Sequence, residues 1–343
     1  MDPFLFSLGL IITLATIYDM IITILAPRGA GIIADRVSRF IWRISLKLAG
    51  KDGRKEFLRF IGPLVLIFIV IIWILLLWIG NTFIVYSDPE ALWSSAEKTF
   101  ITSFIEKAYF SAYVLSSMGN GDYTPHTDFW LLYTGFISYT GVVFISLGIS
   151  FLLPVIEAIT LKRQLSILIH NLGNTPRAIL ENYQHDNFKD FTERLGDLEQ
   201  LLVQISQYHL AYPVIHYFHS TKTYEALSVQ LVSLDECMSI LKYKINNENI
   251  ENRSNLERAY NAMTYYLSTL ASAFITPEDD EPEHPDVSYL NDFDADKVKM
   301  SESDKKNLET RRKLLLAYLQ NDGWSWDVLY STREDINVRN FQN

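Results

Sequence analysis

Residues 109–125 read Tyr-Phe-Ser-Ala-Tyr-Val-Leu-Ser-Ser-Met-Gly-Asn-Gly-Asp-Tyr-Thr-Pro and lie between two long apolar stretches. A short, half-apolar segment that stays at membrane depth has a special reason to exist. Non-helical backbone is tolerated there only where it is buried in protein or lines a water-filled path. The chemistry within reach is cation coordination by backbone carbonyls. Glycine adopts angles that other residues avoid, so Gly119 and Gly121 allow successive carbonyls of Ser117, Met118, Gly119 and Asn120 to face one way. Rings of such carbonyls replace the hydration shell of a cation. Asp122 follows directly and adds charge at the mouth.

The segment resembles the pore loop of potassium channels, whose filter reads Thr-Val-Gly-Tyr-Gly-Asp. Ser117 falls on the Thr, Met118 on the Val and Asn120 on the Tyr, while Gly119, Gly121 and Asp122 match. Tyr109 and Phe110 fall where voltage-gated members carry a Trp pair. The resemblance covers roughly residues 57–160. It implies a pore helix over about 103–116 whose negative end favours a cation. It also implies a homotetramer, since one chain supplies one loop, and permeant potassium in place of any bound cofactor. Gly141, twenty residues after Gly121, matches the family's gating-hinge glycine. Asn120 departs from the bracing Tyr and Met118 from a compact Val, so a non-selective monovalent cation pore is the alternative. Asn120→Tyr is then expected to raise the potassium-to-sodium permeability ratio.

Three stretches must position this loop: 4–26, 60–86 and 129–156, each long enough to cross about 30 Å of hydrocarbon. The loop 27–59 carries nine Lys/Arg against three acids, which places it in the cytoplasm. The N-terminus is then outside, the 109–125 loop enters from the outer face, and the third span returns to Lys162-Arg163 inside. The expected location is the cell membrane, with the C-terminal region cytoplasmic. Val37, Phe40, Ile41, Ile44 and Leu48 form one stripe and Arg39, Arg43 and Lys47 another, an amphipathic helix expected in the inner headgroup layer. By position only, it resembles the interfacial helix of inward-rectifier channels. Asp19 sits inside the first span, where a charge is costly. It either anchors that span to a neighbour, acts as a pH-sensitive element, or snorkels to the inner interface. Pro154 removes a backbone donor and is expected to kink the third span near its inner end.

The second half differs in kind. Residues 1–163 hold 13 Lys/Arg and 12 Asp/Glu, whereas 164–343 hold 17 and 28. A net of −11 there argues against a nucleic-acid partner. Helical periodicity predicts helices near 156–172, 176–184, 187–209, 222–246, 253–274 and 302–320. Thr175-Pro176 starts the second, and a capping box from Ser254 to Glu257 suits the fifth. The single cysteine, Cys237, excludes an intrachain disulfide and reads as a buried helical residue. His209, His216 and His219 read as surface residues rather than metal ligands, since no fourth ligand is evident. Asp292, Asp294 and Asp296 mimic a calcium loop, but Lys297 and Ser303 stand where Gly and Glu are required.

These readings give an all-α membrane protein: a two-helix-plus-pore-loop domain, an additional N-terminal transmembrane helix and a helical cytoplasmic domain. The boundaries are 1–27 for the N-terminal span, 28–56 for the loop with its interfacial helix, and 57–160 for the pore domain. Residues 161–343 form a regulatory region containing an exposed acidic linker at 277–297. No nucleophile–base spacing or phosphate loop points to an enzyme. The expected function is a potassium channel gated through the cytoplasmic half by a ligand or partner that the sequence does not name. A membrane-anchored docking protein is the competing class.

Overall fold

The structure, a computed structural model, describes residues 1–26, 29–119, 121–293 and 300–331. Among the described residues, three helices are long and apolar enough to cross a membrane. They are α1 (Pro3–Leu25), α3 (Ile61–Tyr86) and α5 (Asp128–His170). Helix α2 (Ile32–Leu48) follows α1, and α4 (Phe104–Leu115) lies between α3 and α5. At 12 residues, α4 is about 18 Å long and too short to span.

The chain divides into two compact units. The first takes in residues 1–40 and 63–156. Helix α1 approaches α3 through glycine: a Cβ on Gly9 would lie 2.5 Å from the carbonyl oxygen of Gly80. Helix α3 holds α4 through the Trp78 indole, which donates to the Ala108 carbonyl at 2.7 Å. Tyr133 of α5 donates to Asn81 of α3 at 2.5 Å. The loops on either side of α4 carry a small sheet that the periodicity did not announce. Strand β1 (Leu92–Ser94) pairs antiparallel with β2 (Thr99–Phe100) and with β3 (Tyr123–Pro125), in register Trp93 to Phe100 and Trp93 to Thr124. Its Leu92 joins Ile84, Phe110, Val114 and Trp130 in one apolar cluster.

The second unit takes in residues 41–62 and 157–343. It comprises α6 (Pro176–Tyr183), α7 (Lys189–Ala211), α8 (Leu227–Lys244), α9 (Arg253–Ala273) and α10 (Glu302–Asn321), with the last turns of α5 and the segment around Trp42 and Gly53. Every residue of α8 from Leu227 to Leu241 is buried, so this helix is the axis of the unit. Its acids are met from α10: Arg311 binds Asp235 and Arg312 binds Glu236. Burial pushes the Glu236 carboxyl up to about 7 against the opposing pull of Arg312.

Two local expectations change. Helix α9 begins at Arg253 after Asn252 in the left-handed region (φ 52°), and no side chain caps it. Ser254 is therefore already inside the helix, and Glu257 turns instead to Lys242 and Arg253. The 277–297 linker is not simply exposed. Val287, Leu290 and Phe293 are buried, and Arg312 binds Glu281 and the Glu283 carbonyl. Asp294, Asp296 and Lys297 of the rejected calcium loop lie outside the described residues. Thr175 caps α6 as expected, accepting from the Ala178 amide at 3.0 Å, and Cys237 is buried on α8.

Candidate functional site at the loop after helix α4

Helix α4 ends where the loop chemistry begins. The Ser116 amide donates to Ala112, the Ser117 amide to Val114 and the Met118 amide to Tyr113, so the chain tightens as it leaves the helix. Ser117 (φ 56°) and Gly119 (φ 65°) are left-handed, whereas Met118 between them is not. The sign of φ therefore changes at each step from Ser117 to Gly119, so the backbone turns sharply as it leaves α4. Gly119 and Gly121 have open space where a Cβ would stand, and Met118 is 66% exposed. Asn120 lies outside the described residues. Asp122 is exposed beside Gly121.

The back of the loop is braced by Tyr113, Tyr123 and Ser138, which sequence reasoning did not single out, together with Ser117 and Tyr109, which it did. Tyr113 donates to the Tyr123 carbonyl at 3.2 Å, and Tyr123 donates to Glu106 at 3.1 Å. The Ser117 hydroxyl donates to the Ser138 carbonyl of α5 at 3.1 Å. Tyr109 and Phe110 stack edgewise on Tyr113 with centroids 5.3 and 5.2 Å away. Tyr at i and i+4 on a 12-residue helix was the available signal. At the rim of the loop, Lys107 is buried and donates to the carbonyls of Val85 and Asp88, at 3.3 and 2.5 Å. Burial lowers its ammonium to about 8, against the pull of Asp88. Trp130 donates to the Asp88 carboxylate at 2.9 Å. Lys107 and Asp88 thus build the rim rather than standing free in it.

Gly141 and Pro154 both lie within the continuous helix α5. A Cβ on Gly141 would lie 1.9 Å from the Leu115 carbonyl oxygen, so this glycine permits contact with the end of α4. Gly135 and Gly148 have no atom within 4 Å of a Cβ position. Pro154 leaves the Ser150 carbonyl without its helical donor, and α5 nevertheless continues to His170.

Asp19 does not snorkel. It is 3% exposed and accepts from the Ile33 amide at 2.7 Å, the Ala34 amide at 3.3 Å and the Trp73 indole at 2.9 Å. It therefore caps α2 from another helix and ties α1 to α3. Thr23, one turn on, accepts from the Gly31 amide at 2.9 Å. Gly31 is required because a Cβ there would lie 2.2 Å from the Asp19 carboxylate. On α2, Ala34, Ser38, Trp42 and Ser45 are buried, whereas Phe40 is 66% and Leu48 77% exposed.

The three histidines are buried, contrary to the surface expectation: His216 and His219 find partners more than 100 residues away, and His209 finds one a single turn back on its own helix. His216 lies 2.7 Å from Asn321 Oδ1 and stacks on Phe274. His219 bridges Asp322 at 2.8 Å and the Gly53 carbonyl at 2.6 Å. His209 lies 3.1 Å from the Ile205 carbonyl. Among the described residues no group of three or more His, Cys, Asp or Glu could hold a metal. Burial lowers His216 to about 4 and His209 well below its ordinary 6.5. Both stay neutral when folded, while the unfolded chain takes up protons below about 6.5. Their stabilisation is full above pH 6.5 and is lost as pH falls towards 4, on the order of 3 kcal/mol for His216. Acid titration by circular dichroism should show unfolding begin in that window, and His216→Phe should flatten the slope there. An unchanged slope would show that another group carries the acid sensitivity.

No family model matches the chain, and no solved structure matches it. The "uncharacterized membrane protein YdjJ" of Bacillus subtilis (strain 168) is 30% identical over 324 residues, which is 93% of this chain and 94% of that protein. With that identity over nearly the whole of both chains, and three helices of its own able to cross a bilayer, this is a membrane protein and belongs to the YdjJ family.

Proposed function

We propose that the chain is one subunit of a homotetrameric cation channel of the pore-loop type, potassium-selective and without enzymatic activity. The observation that carries the reading is the alternating backbone at Ser117, Met118 and Gly119, at the end of a non-spanning helix set between two spanning ones. Carbonyls of that segment, repeated around a four-fold axis, make stacked sites for a dehydrated cation. Asp122 and the neighbouring acids draw cations to the mouth.

Helix α5 supports the reading. Tyr139, Val143, Ser146, Ser150 and Leu153 recur on one face and are all exposed. Gly141, Phe144 and Gly148 lie on the other. A mid-span stripe with hydroxyls has little to gain from lipid and suits a wetted path. The helix then runs unbroken from the proposed hinge at Gly141 and past Pro154 into the second unit, which makes that unit the handle of the gate. The reading places the N-terminus outside, the second unit in the cytoplasm and the exposed stripe of α2 in the inner headgroup layer of the cell membrane.

Purified protein in liposomes should pass potassium, and the particle should contain four chains. Reversal potentials in mixed potassium and sodium then separate a selective filter from a non-selective one. The reading fails if no monovalent cation flux occurs, or if the particle is a monomer or dimer. Either result would favour a membrane-anchored docking protein.

A further inference from the structure

The first unit contains a cavity of about 560 Å³ bounded by α1, α3, α5 and the end of α4. Met20, Trp73, Trp78, Leu115, Phe144 and Gly148 are among its walls. The polar atoms of this lining are turned to other partners. The Trp73 indole donates to Asp19, the Trp78 indole to the Ala108 carbonyl, and the Ser116 hydroxyl to the Tyr113 carbonyl. Water placed there would find too few partners, and apolar cavities of this kind stay dry and take apolar guests. The volume is that of a ligand site rather than a packing defect. Gly148 shapes it, since no atom lies within 4 Å of where its Cβ would be.

Shape and depth select the guest. The walls on α5 run from Gly141 to Leu152, about 16 Å along the axis, so the space is elongated along the spanning helices. On α3 the walls run from Leu66 to Trp78, the middle of a 26-residue spanning helix. At that depth the surrounding solvent is hydrocarbon.

We propose that this cavity is a binding site for one acyl chain of a membrane phospholipid, seated against Trp73 and Trp78 with its course set by Gly148. The site does not depend on ion conduction. Its upper wall is Leu115 and Ser116, so an occupying chain also supports the junction between α4 and the loop.

The test uses the full-length protein in vesicles of phosphatidylcholine carrying a diazirine midway along one acyl chain. Illumination should place the label on Trp73, Trp78 or Phe144 as well as on the outward-facing Ile67 and Ile71. Gly148→Phe should cut labelling of the cavity residues about tenfold and leave Ile67 and Ile71 unchanged. Ile145→Phe, which fills the same space from a neighbouring wall position, serves if Gly148→Phe does not fold. Wild-type labelling confined to Ile67 and Ile71 would overturn the proposal. So would cavity labelling that is equal in the wild type and a folded filled variant, or a chain-to-chain cross-link through the cavity.

Discussion

Asp19→Ala should destabilise the membrane unit by on the order of 4 kcal/mol. The carboxylate satisfies three buried donors at once: the amides of Ile33 and Ala34 and the indole of Trp73. Removing it strands all three where water is scarce, and each stranded donor costs about 1–3 kcal/mol. Truncation also leaves a hole against Gly31, which has no side chain to fill it. Asp19→Asn keeps the shape but turns an amide NH₂ towards one of the donors, so it should cost roughly half as much. Thermal unfolding in detergent, followed by tryptophan fluorescence, measures the loss. The order Ala, Asn, wild type should appear in the midpoints. An Asp19→Ala midpoint within about 0.5 kcal/mol of wild type would show that the cap is ornamental.

Gly141→Ala should abolish flux, or reduce it at least tenfold, and should also lower stability by about 1–3 kcal/mol. The added methyl would sit 1.9 Å from the Leu115 carbonyl oxygen, and that atom is backbone, so the end of α4 has to move. Movement there reaches Ser116 and Ser117 within two residues. The stability term separates two roles for this glycine. A residue needed only for bending would change gating while leaving the unfolding midpoint where it was. Gly148→Ala is the matched control. Its methyl meets nothing within 4 Å, and alanine is the better helix former by up to about 1 kcal/mol, so flux and stability should hold or improve. Equal behaviour of the two variants would remove the α4 contact from the explanation.

What the sequence made legible follows the range of the interactions involved. The spans are legible because hydropathy is a property of consecutive residues: 4–26 became Pro3–Leu25 and 60–86 became Ile61–Tyr86. The α6 start is legible because Thr175 caps within three residues. The histidines were not, since His216 and His219 find Asn321 and Asp322 more than 100 residues away. Asp19 stood between three readings for the same reason: its partners lie 14, 15 and 54 residues on. Strands of two or three residues carry too few alternations to register as a period, so the small sheet went unseen. The candidate loop was legible through its glycines, while its bracing by Tyr113 and Tyr123 needed a fold that brings a helix back over its own outgoing chain.

Order of synthesis gives the second unit a timetable. Its first piece, residues 41–62, leaves the ribosome long before the rest. The Trp42 indole donates to the Asn321 carbonyl across 279 residues, and His219 closes on Gly53 across 166. At about 5–20 residues per second the Trp42 partner arrives on the order of tens of seconds later. Two spanning helices must be threaded into the bilayer during that wait. Trp42 and its neighbours therefore spend the interval without their final cover, and the unit closes only once Asn321 has emerged. A nascent chain arrested before residue 321 should keep the 41–62 segment open to protease, and release of the finished chain should close it.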